Sequence, residues 1–281
     1  MALALAREGA NIVVCDLGAA IDGTGADRTR ADAVVEECRE LKVKAVPHHG
    51  DVADFQAAKD MIETCADNFG SVDILCNIAG NKPVTSLFDT SEEEWDRTIA
   101  IHLKGTFNLT RHAAPLMREQ RYGRIINCIS DAWIGTKSLH YAAAKGGIAS
   151  LTYATALEMD KYGVTCNAFS PVIGRDSEMV SEMMSRLSPN VEAGRWTPTR
   201  FEEVTDALAA PMDYTGPIIA FLCSEEAGYI NGRIFGIAAT KLSYWSSAKQ
   251  TRVFARDWKK QGSWTWEEIE KQMPLLLEGW R

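Results

Sequence analysis

The strongest constraint on the fold is an alternation. Six short apolar runs, most of them rich in β-branched residues, are separated by longer stretches with helical spacing. The runs occupy 11–17 (NIVVCDL), 44–52 (KAVPHHGDV), 72–80 (VDILCNIAG), 123–130 (GRIINCIS), 164–171 (VTCNAFSP) and 232–239 (GRIFGIAA). Between them, 30–42 and 54–70 read as helices, and the second carries apolar residues at i, i+3 and i+4 and closes on Gly70. Strand–helix alternation builds βαβ units around a parallel sheet, and strands apolar nearly throughout are covered on both faces. The expected class is therefore α/β, with a doubly wound parallel sheet.

Two segments exceed a minimal domain of that kind. Residues 174–214 are rich in Met, Ser, Pro and Glu and read as a mobile helical flap over a cleft. After Ala239 come five of the eight tryptophans, and Thr265 with Glu268 forms a capping-box signal for a helix that ends or kinks near Pro274. The expected division is a domain over 1–239 and a Trp-rich extension over 240–281, packed on the domain or on a partner subunit.

Composition narrows the class of function. A net charge of -8 and an isoelectric point near 5.3, without a basic cluster, exclude a nucleic-acid partner or an anionic membrane surface. The seven cysteines lack the spacing of a zinc site or a redox pair, so no metal is expected and the thiols read as small buried side chains in a reducing cytoplasm. Arg7 and Glu8 interrupt the apolar start, which makes it a poor signal peptide, and no run reaches the roughly 18 apolar residues of a membrane span. A cytoplasmic location is expected.

The sharpest chemical motif is 141–147, YAAAKGG, which puts Tyr141 and Lys145 at i, i+4 on one helix face. A phenol titrates near 10, so acid–base work at neutral pH needs a nearby cation; lowering it by about three units takes roughly 4 kcal/mol. By itself the pattern equally describes an exposed helical pair. Ser130 adds context. It ends the 123–130 run, on the side of a parallel sheet where ligands bind, and could hydrogen-bond a substrate oxygen beside Tyr141.

Strand-end Asp16, Asp51–Val52, the 76–80 turn CNIAG, Ser130, YAAAK and NAFSP occur in the order found in the short-chain dehydrogenase/reductase family. The resemblance covers almost the whole chain. It implies a Rossmann-like fold and a hydride exchanged between a nicotinamide cofactor and a secondary alcohol or ketone. Ser130, Tyr141 and Lys145 are the implied catalytic set, with Tyr141 and Lys145 also against the cofactor. Asp51 and Val52 would border the adenine, and Asn77, Ala79 and Gly80 would lie beside the dinucleotide. Asp16 would accept the ribose hydroxyls and repel a 2′-phosphate, favouring NAD over NADP. Dimers or tetramers are usual in this family. The His102 segment, the insert after CDLG and the long tail are similar to the branch containing the dehydrogenase domain of peroxisomal multifunctional enzyme type 2 and its bacterial relatives. That likeness implies a 3-hydroxyacyl-CoA thioester or a hydroxysteroid as substrate.

Several departures matter. His102 stands where the family usually has an asparagine that orients a water leading from the lysine; a histidine can both donate and accept, so it is expected to join the relay or to serve as a buried structural residue. Val172 follows Pro171 in place of glycine, and Ile78 replaces a common asparagine, a change expected to affect packing. The family's first strand and glycine-rich turn, which hold the pyrophosphate, have no counterpart before ALALAREGANIVVCDLG. Without that central strand its neighbours close the gap, or the gap stays open to water or a partner, or the natural protein begins upstream of Met1; the last is the expectation favoured here. Two alternatives to an NAD-linked dehydrogenase remain: a truncated, non-catalytic binding or oligomer subunit, and an NADP-linked ketoreductase.

Overall fold

The computed structural model describes residues 1–19, 25–81, 85–135, 138–172, 177–209, 212–238, 241–246, 253–255, 258–261 and 263–277. All six apolar runs contain strands: β1 (Ile12–Cys15), β2 (Ala45–His48), β3 (Ile74–Asn77), β4 (Gly123–Cys128), β5 (Val164–Val172) and β6 (Ile234–Ala238). A seventh, β7 (Lys241–Trp245), pairs antiparallel with β6, so the sheet runs past the expected boundary at 239. Residues 1–245 form one unit and 246–281 a second. In the second, α11 (Trp266–Leu276) begins with the expected capping box at Thr265 and Glu268. It ends at Leu276, two residues past Pro274, in keeping with the expected end near that proline. That proline sits close enough to the C-terminal end that little of the helix follows it.

The helices that set the first unit are α1 (Ala2–Arg7), α2 (Thr29–Glu40), α3 (Phe55–Phe69), α4 (Glu92–Ile99), α5 (Gly105–Gln120), α6 (Leu139–Met159) and α9 (Gly216–Leu222). Local chemistry explains their ends. Asp54 accepts the Ala57 N–H to start α3, Gly70 takes a left-handed φ of 88° to stop it, and Ser91 and Glu94 form a capping box on α4. Between α4 and α5, Ala100–Lys104 makes a π turn, so 92–120 is a single helical rod with one widened turn.

Side chains on the strands alternate between two helical layers. Ile125 of β4 packs with Met61, Leu109, Met117 and Ala156 on one face, and its neighbour Ile126 with Leu5, Val35, Phe169 and Ile219 on the other. All seven cysteines are free thiols, and Cys38, Cys166 and Cys223 are fully buried. The expected flap contains α7 (Ser177–Glu192) and α8 (Pro198–Ala209); residues 173–176 and 210–211 lie outside the described residues. Leu208 is buried where α8 contacts β5 and β6, and Lys241 pairs with Glu203 at 3.0 Å.

Instead of one continuous sheet there are two. β1 and β2 form a parallel pair, and β3–β4–β5–β6–β7 form a five-stranded sheet. The neighbours of the absent strand have therefore not closed on each other. A cavity of about 260 Å³ lies between β1 and β3, lined by Ile12 to Cys15 on one side and Ile74 to Cys76 on the other.

Candidate active site

The C-terminal ends of the strands of the five-stranded sheet carry the site. Ser130 follows β4 and caps a short 3₁₀ turn, its hydroxyl accepting the Ala132 N–H at 3.3 Å and approaching Asp131 Oδ1 at 3.1 Å. α6 delivers Tyr141 and Lys145 one turn apart. Lys145 is 3% exposed; its Nζ donates to the Cys128 carbonyl at 2.8 Å and lies 5.5 Å from the centre of the Tyr141 ring. The structure thus gathers Ser130, Tyr141 and Lys145 at one point.

Their protonation differs from the simple expectation that Lys145 lowers the phenol. Burial pushes Tyr141 up to about 12 and the nearby Cys128 adds to this, while hydrogen bonding with Ser130 works the other way. Burial also pulls Lys145 below its ordinary value. Desolvation therefore governs the phenol, and in this state Tyr141 is protonated, a proton donor.

His102 comes from the π turn between α4 and α5 and stands edge-on to Tyr141, ring centres 5.3 Å apart and planes at 83°. Its Nε2 lies 2.7 Å from the Asn81 carbonyl oxygen and 3.2 Å from the Asn81 nitrogen. The shorter contact is to an obligatory acceptor, so Nε2 is assigned the proton and donates. Burial, with Lys145 nearby, drives its pKa down to about 3, so the ring is neutral at physiological pH. No hydrogen bond joins His102 to Lys145, whose ammonium turns to Cys128 instead. The histidine reading that the geometry carries is positional: it buttresses the 78–81 turn and the Tyr141 ring. Gly80 is required by it, since a Cβ there would lie 2.2 Å from the imidazole.

The other expected cofactor residues fall in two groups. Asn77 is buried and donates to Asn127 Oδ1 at 2.8 Å and Thr110 at 3.3 Å; Asn127 in turn donates to Thr152 at 2.9 Å. This chain ties β3 to β4 and α6 directly under the site. Val52 packs against Gly105, its carbonyl accepts the Asn108 amide at 2.9 Å, and Asp51 accepts the Ala53 N–H at 2.8 Å. Asp16 ends β1 and accepts the Gly18 N–H at 2.7 Å. Ala79 and Ile78 border the cavity beside β1, so Ile78 is a rim residue, 38% exposed, rather than a core one. Pro171 and Val172 continue β5 in extended pairing with Ile237 and Ala238, a conformation that suits a β-branched residue.

Asn127, Asn108 and the Cys128 carbonyl were not singled out from sequence. A buried amide inside an apolar strand, as in IINC, is the signal that could have found Asn127; a backbone acceptor leaves none. Among the described residues, no group of three or more His, Cys, Asp or Glu side chains could hold a metal ion, and no helix is long and apolar enough to cross a membrane.

The sequence profile of the short chain dehydrogenase family matches residues 1–187. The chain belongs to the short-chain dehydrogenases. It is 32% identical over 266 residues to the hydroxyacyl-CoA dehydrogenase ChsB1 of Mycobacterium tuberculosis, covering 91% of this chain and 78% of that protein. It is 37% identical over 227 residues to peroxisomal multifunctional enzyme type 2 of Drosophila melanogaster, covering 80% of this chain and 34% of that longer protein. The fold is similar to that of a short chain dehydrogenase from Mycobacterium avium, with a TM-score of 0.76, 32% identity and coverage of 98% and 88% of the two chains. This short-chain dehydrogenase is thus an oxidoreductase acting on CH–OH groups.

The residues present fit two ends of a nicotinamide dinucleotide. Asp16 suits ribose hydroxyls, and the buried ammonium of Lys145 beside Tyr141 suits the nicotinamide end. The cavity beside β1 is bordered by Ile78 and Ala79 of the turn after β3.

Proposed function

We propose that this short-chain dehydrogenase exchanges a hydride between NAD and the carbinol carbon of a 3-hydroxyacyl-CoA-type or hydroxysteroid-like alcohol. The observation that carries the reading is the convergence of Ser130, Tyr141 and Lys145 at the strand ends, with the Asp16 carboxylate terminating β1. Likeness to a hydroxyacyl-CoA dehydrogenase and to a peroxisomal multifunctional enzyme supports the substrate class.

The bound dinucleotide supplies or accepts the hydride. Ser130 holds the reacting oxygen through its hydroxyl, and Tyr141 gives that oxygen a proton in ketone reduction or takes one in alcohol oxidation. With its phenol near 12, Tyr141 is set for donation; oxidation needs added positive charge, which Lys145 and an oxidised nicotinamide ring both offer. Lys145 also holds the nicotinamide ribose. Helices α7 and α8 would select the acyl group. The protein is read as a cytoplasmic homodimer or homotetramer assembled through helices that include α6.

One observation favours a second reading. The sheet is split beside the place where the cofactor phosphates would lie, as expected of a non-catalytic binding or oligomer subunit. Titration of the 281-residue chain with NADH and NADPH, followed by nicotinamide fluorescence, separates them. The dehydrogenase reading expects saturable NADH binding, 3-hydroxyacyl-CoA oxidation, and a shift of about tenfold (about 1.4 kcal/mol) toward NADPH in Asp16→Ser. Absence of both binding and turnover supports the non-catalytic subunit, and an inherent NADPH preference supports a ketoreductase.

A further inference from the structure

The turn that joins α7 to α8 presents two arginines in a chain of net charge -8. Asn190 pins it: its carbonyl accepts the N–H of Arg195 at 2.8 Å and of Trp196 at 3.0 Å, and its Oδ1 accepts Arg195 Nε at 3.0 Å. Thr197 Oγ1 accepts the Arg200 N–H at 3.2 Å, and the Arg200 guanidinium lies 5.0 Å from the centre of the Trp196 ring. Both arginines are exposed. Among the described residues neither pairs with a carboxylate, although Glu192 and Glu202 lie in the same stretch, and Glu203 is taken by Lys241 instead. The place of the turn limits what it could hold. Leu208 of α8 is buried where that helix meets β5 and β6, and β5 runs beside the chain that leads to Ser130, the Phe169 carbonyl accepting the Ile129 N–H at 2.8 Å. Arg200 stands about two turns earlier on α8, about 12 Å away along the helix. A ligand group held there is joined to the reacting carbon by a long arm. The cofactor's adenosine does not qualify, because Asp16, the acid proposed to select it, stands on the other side of β4, beyond β3.

We propose that Arg195, Trp196 and Arg200 form a subsite for the phosphorylated nucleotide at the far end of a thioester substrate, the adenosine with its ribose phosphate and diphosphate that coenzyme A carries. The inference rests on the 3-hydroxyacyl-CoA reading above and sharpens it. Planar guanidinium groups take phosphate oxygens in pairs, and Arg195, whose Nε is spent on Asn190, keeps its two terminal nitrogens for such an acceptor. Arg200, already laid on an indole, offers a purine a flat face beside the phosphates. A hydroxysteroid brings no phosphate to these groups, so the turn separates two substrate classes that Ser130, Tyr141 and Lys145 leave together.

Calorimetric titration of the intact chain with free coenzyme A and with pantetheine tests this without turnover. The subsite expects saturable coenzyme A binding at least about tenfold tighter than that of pantetheine, weakened by added salt, and loss of that difference in Arg195→Ala/Arg200→Ala. Arg200→Lys, which keeps the charge and gives up the planar fork, should lose part of it. Equal binding of the two ligands, absence of coenzyme A binding, or an unaltered preference in the double variant overturns the proposal. Kinetics keep its failure apart from that of the dehydrogenase reading. A KM for 3-hydroxybutyryl-CoA at least about tenfold below that for the matching N-acetylcysteamine thioester, with that advantage lost in the double variant and the KM for NAD unmoved, supports the subsite. Equal use of the two thioesters overturns the subsite and leaves the dehydrogenase standing. Oxidation of neither overturns the dehydrogenase reading, and the titration then decides the subsite alone.

Discussion

β4 and β1 are written in similar language and fold to different ends. GRIINC and IVVC are both short and β-branched, yet β4 has a partner on each side while β1 has β2 alone. β4 buries Ile125 and Ile126 completely and anchors Asn127 in a hydrogen-bonded chain from β3 to α6; β1 ends on the exposed Cys15. The first leads to the residues proposed for proton chemistry and the second to the acid proposed to choose the cofactor. In this short-chain dehydrogenase the proposed catalytic constellation and the carboxylate proposed to select the cofactor thus stand on separate sheets, and the rigidity of one says nothing about the other.

Breaking the catalytic side should give the largest effect. Tyr141→Phe removes the proton donor and keeps the ring that packs on His102, so turnover should fall by about 10²–10⁴ with an unchanged melting temperature. Steady-state kinetics beside thermal melts check this, and retained turnover would remove Tyr141 from its role. Next in size is Asn127→Leu, which leaves the Asn77 amide short of a buried partner and should cost about 1–3 kcal/mol in denaturant unfolding. That change draws the five-stranded sheet toward the weaker standing of β1 and β2.

Hydrogen exchange compares the two sheets directly. Amides of β1 and β2 should exchange at least about tenfold faster than those of β4 and β5, because a two-stranded pair opens without breaking the larger sheet; equal protection would mean that the two sheets unfold as one. Near neutral pH the smallest effect concerns His102, which touches both the site and the turn bordering the cavity between β1 and β3; its contribution is lost only in acid. Its pKa falls from 6.5 unfolded to about 3 folded, so its contribution is fully present above pH 6.5 and is lost as pH falls toward 3, by at most about 1.4 kcal/mol per pH unit. His102→Gln should flatten the urea stability profile over that window relative to the unaltered chain.

Much of this was readable in advance, and for identifiable reasons. The six runs were found because a strand covered on both faces has to be apolar throughout, and α3 because its cap at Asp54 and stop at Gly70 are local chemistry. Ser130, Tyr141 and Lys145 stand out because helix spacing puts 141 and 145 on one face and a strand end presents Ser130, and the family resemblance implies that the three act as a set. β7 was read as part of the tail, since KLSYW alternates too weakly to announce an edge strand, and its pairing is decided by β6. The burial that raises the Tyr141 phenol leaves no sign in the sequence, because spacing shows the lysine and hides the desolvation.

By itself, the sequence determined the class of fold and the order of its strands along the chain, because these follow from periodicities of two and 3.6 residues, and its motif order, through the family resemblance, pointed to which hydroxyl, phenol and ammonium would share a site. The tertiary structure alone decided the rest: that Lys145 turns to a backbone carbonyl, that His102 props a turn, that Asn127 ties three elements, and that the sheet stands open between β1 and β3. Each of these depends on partners that lie tens of residues away, such as Cys128, Asn81 and Thr152, or on a desolvation that no local stretch of sequence records.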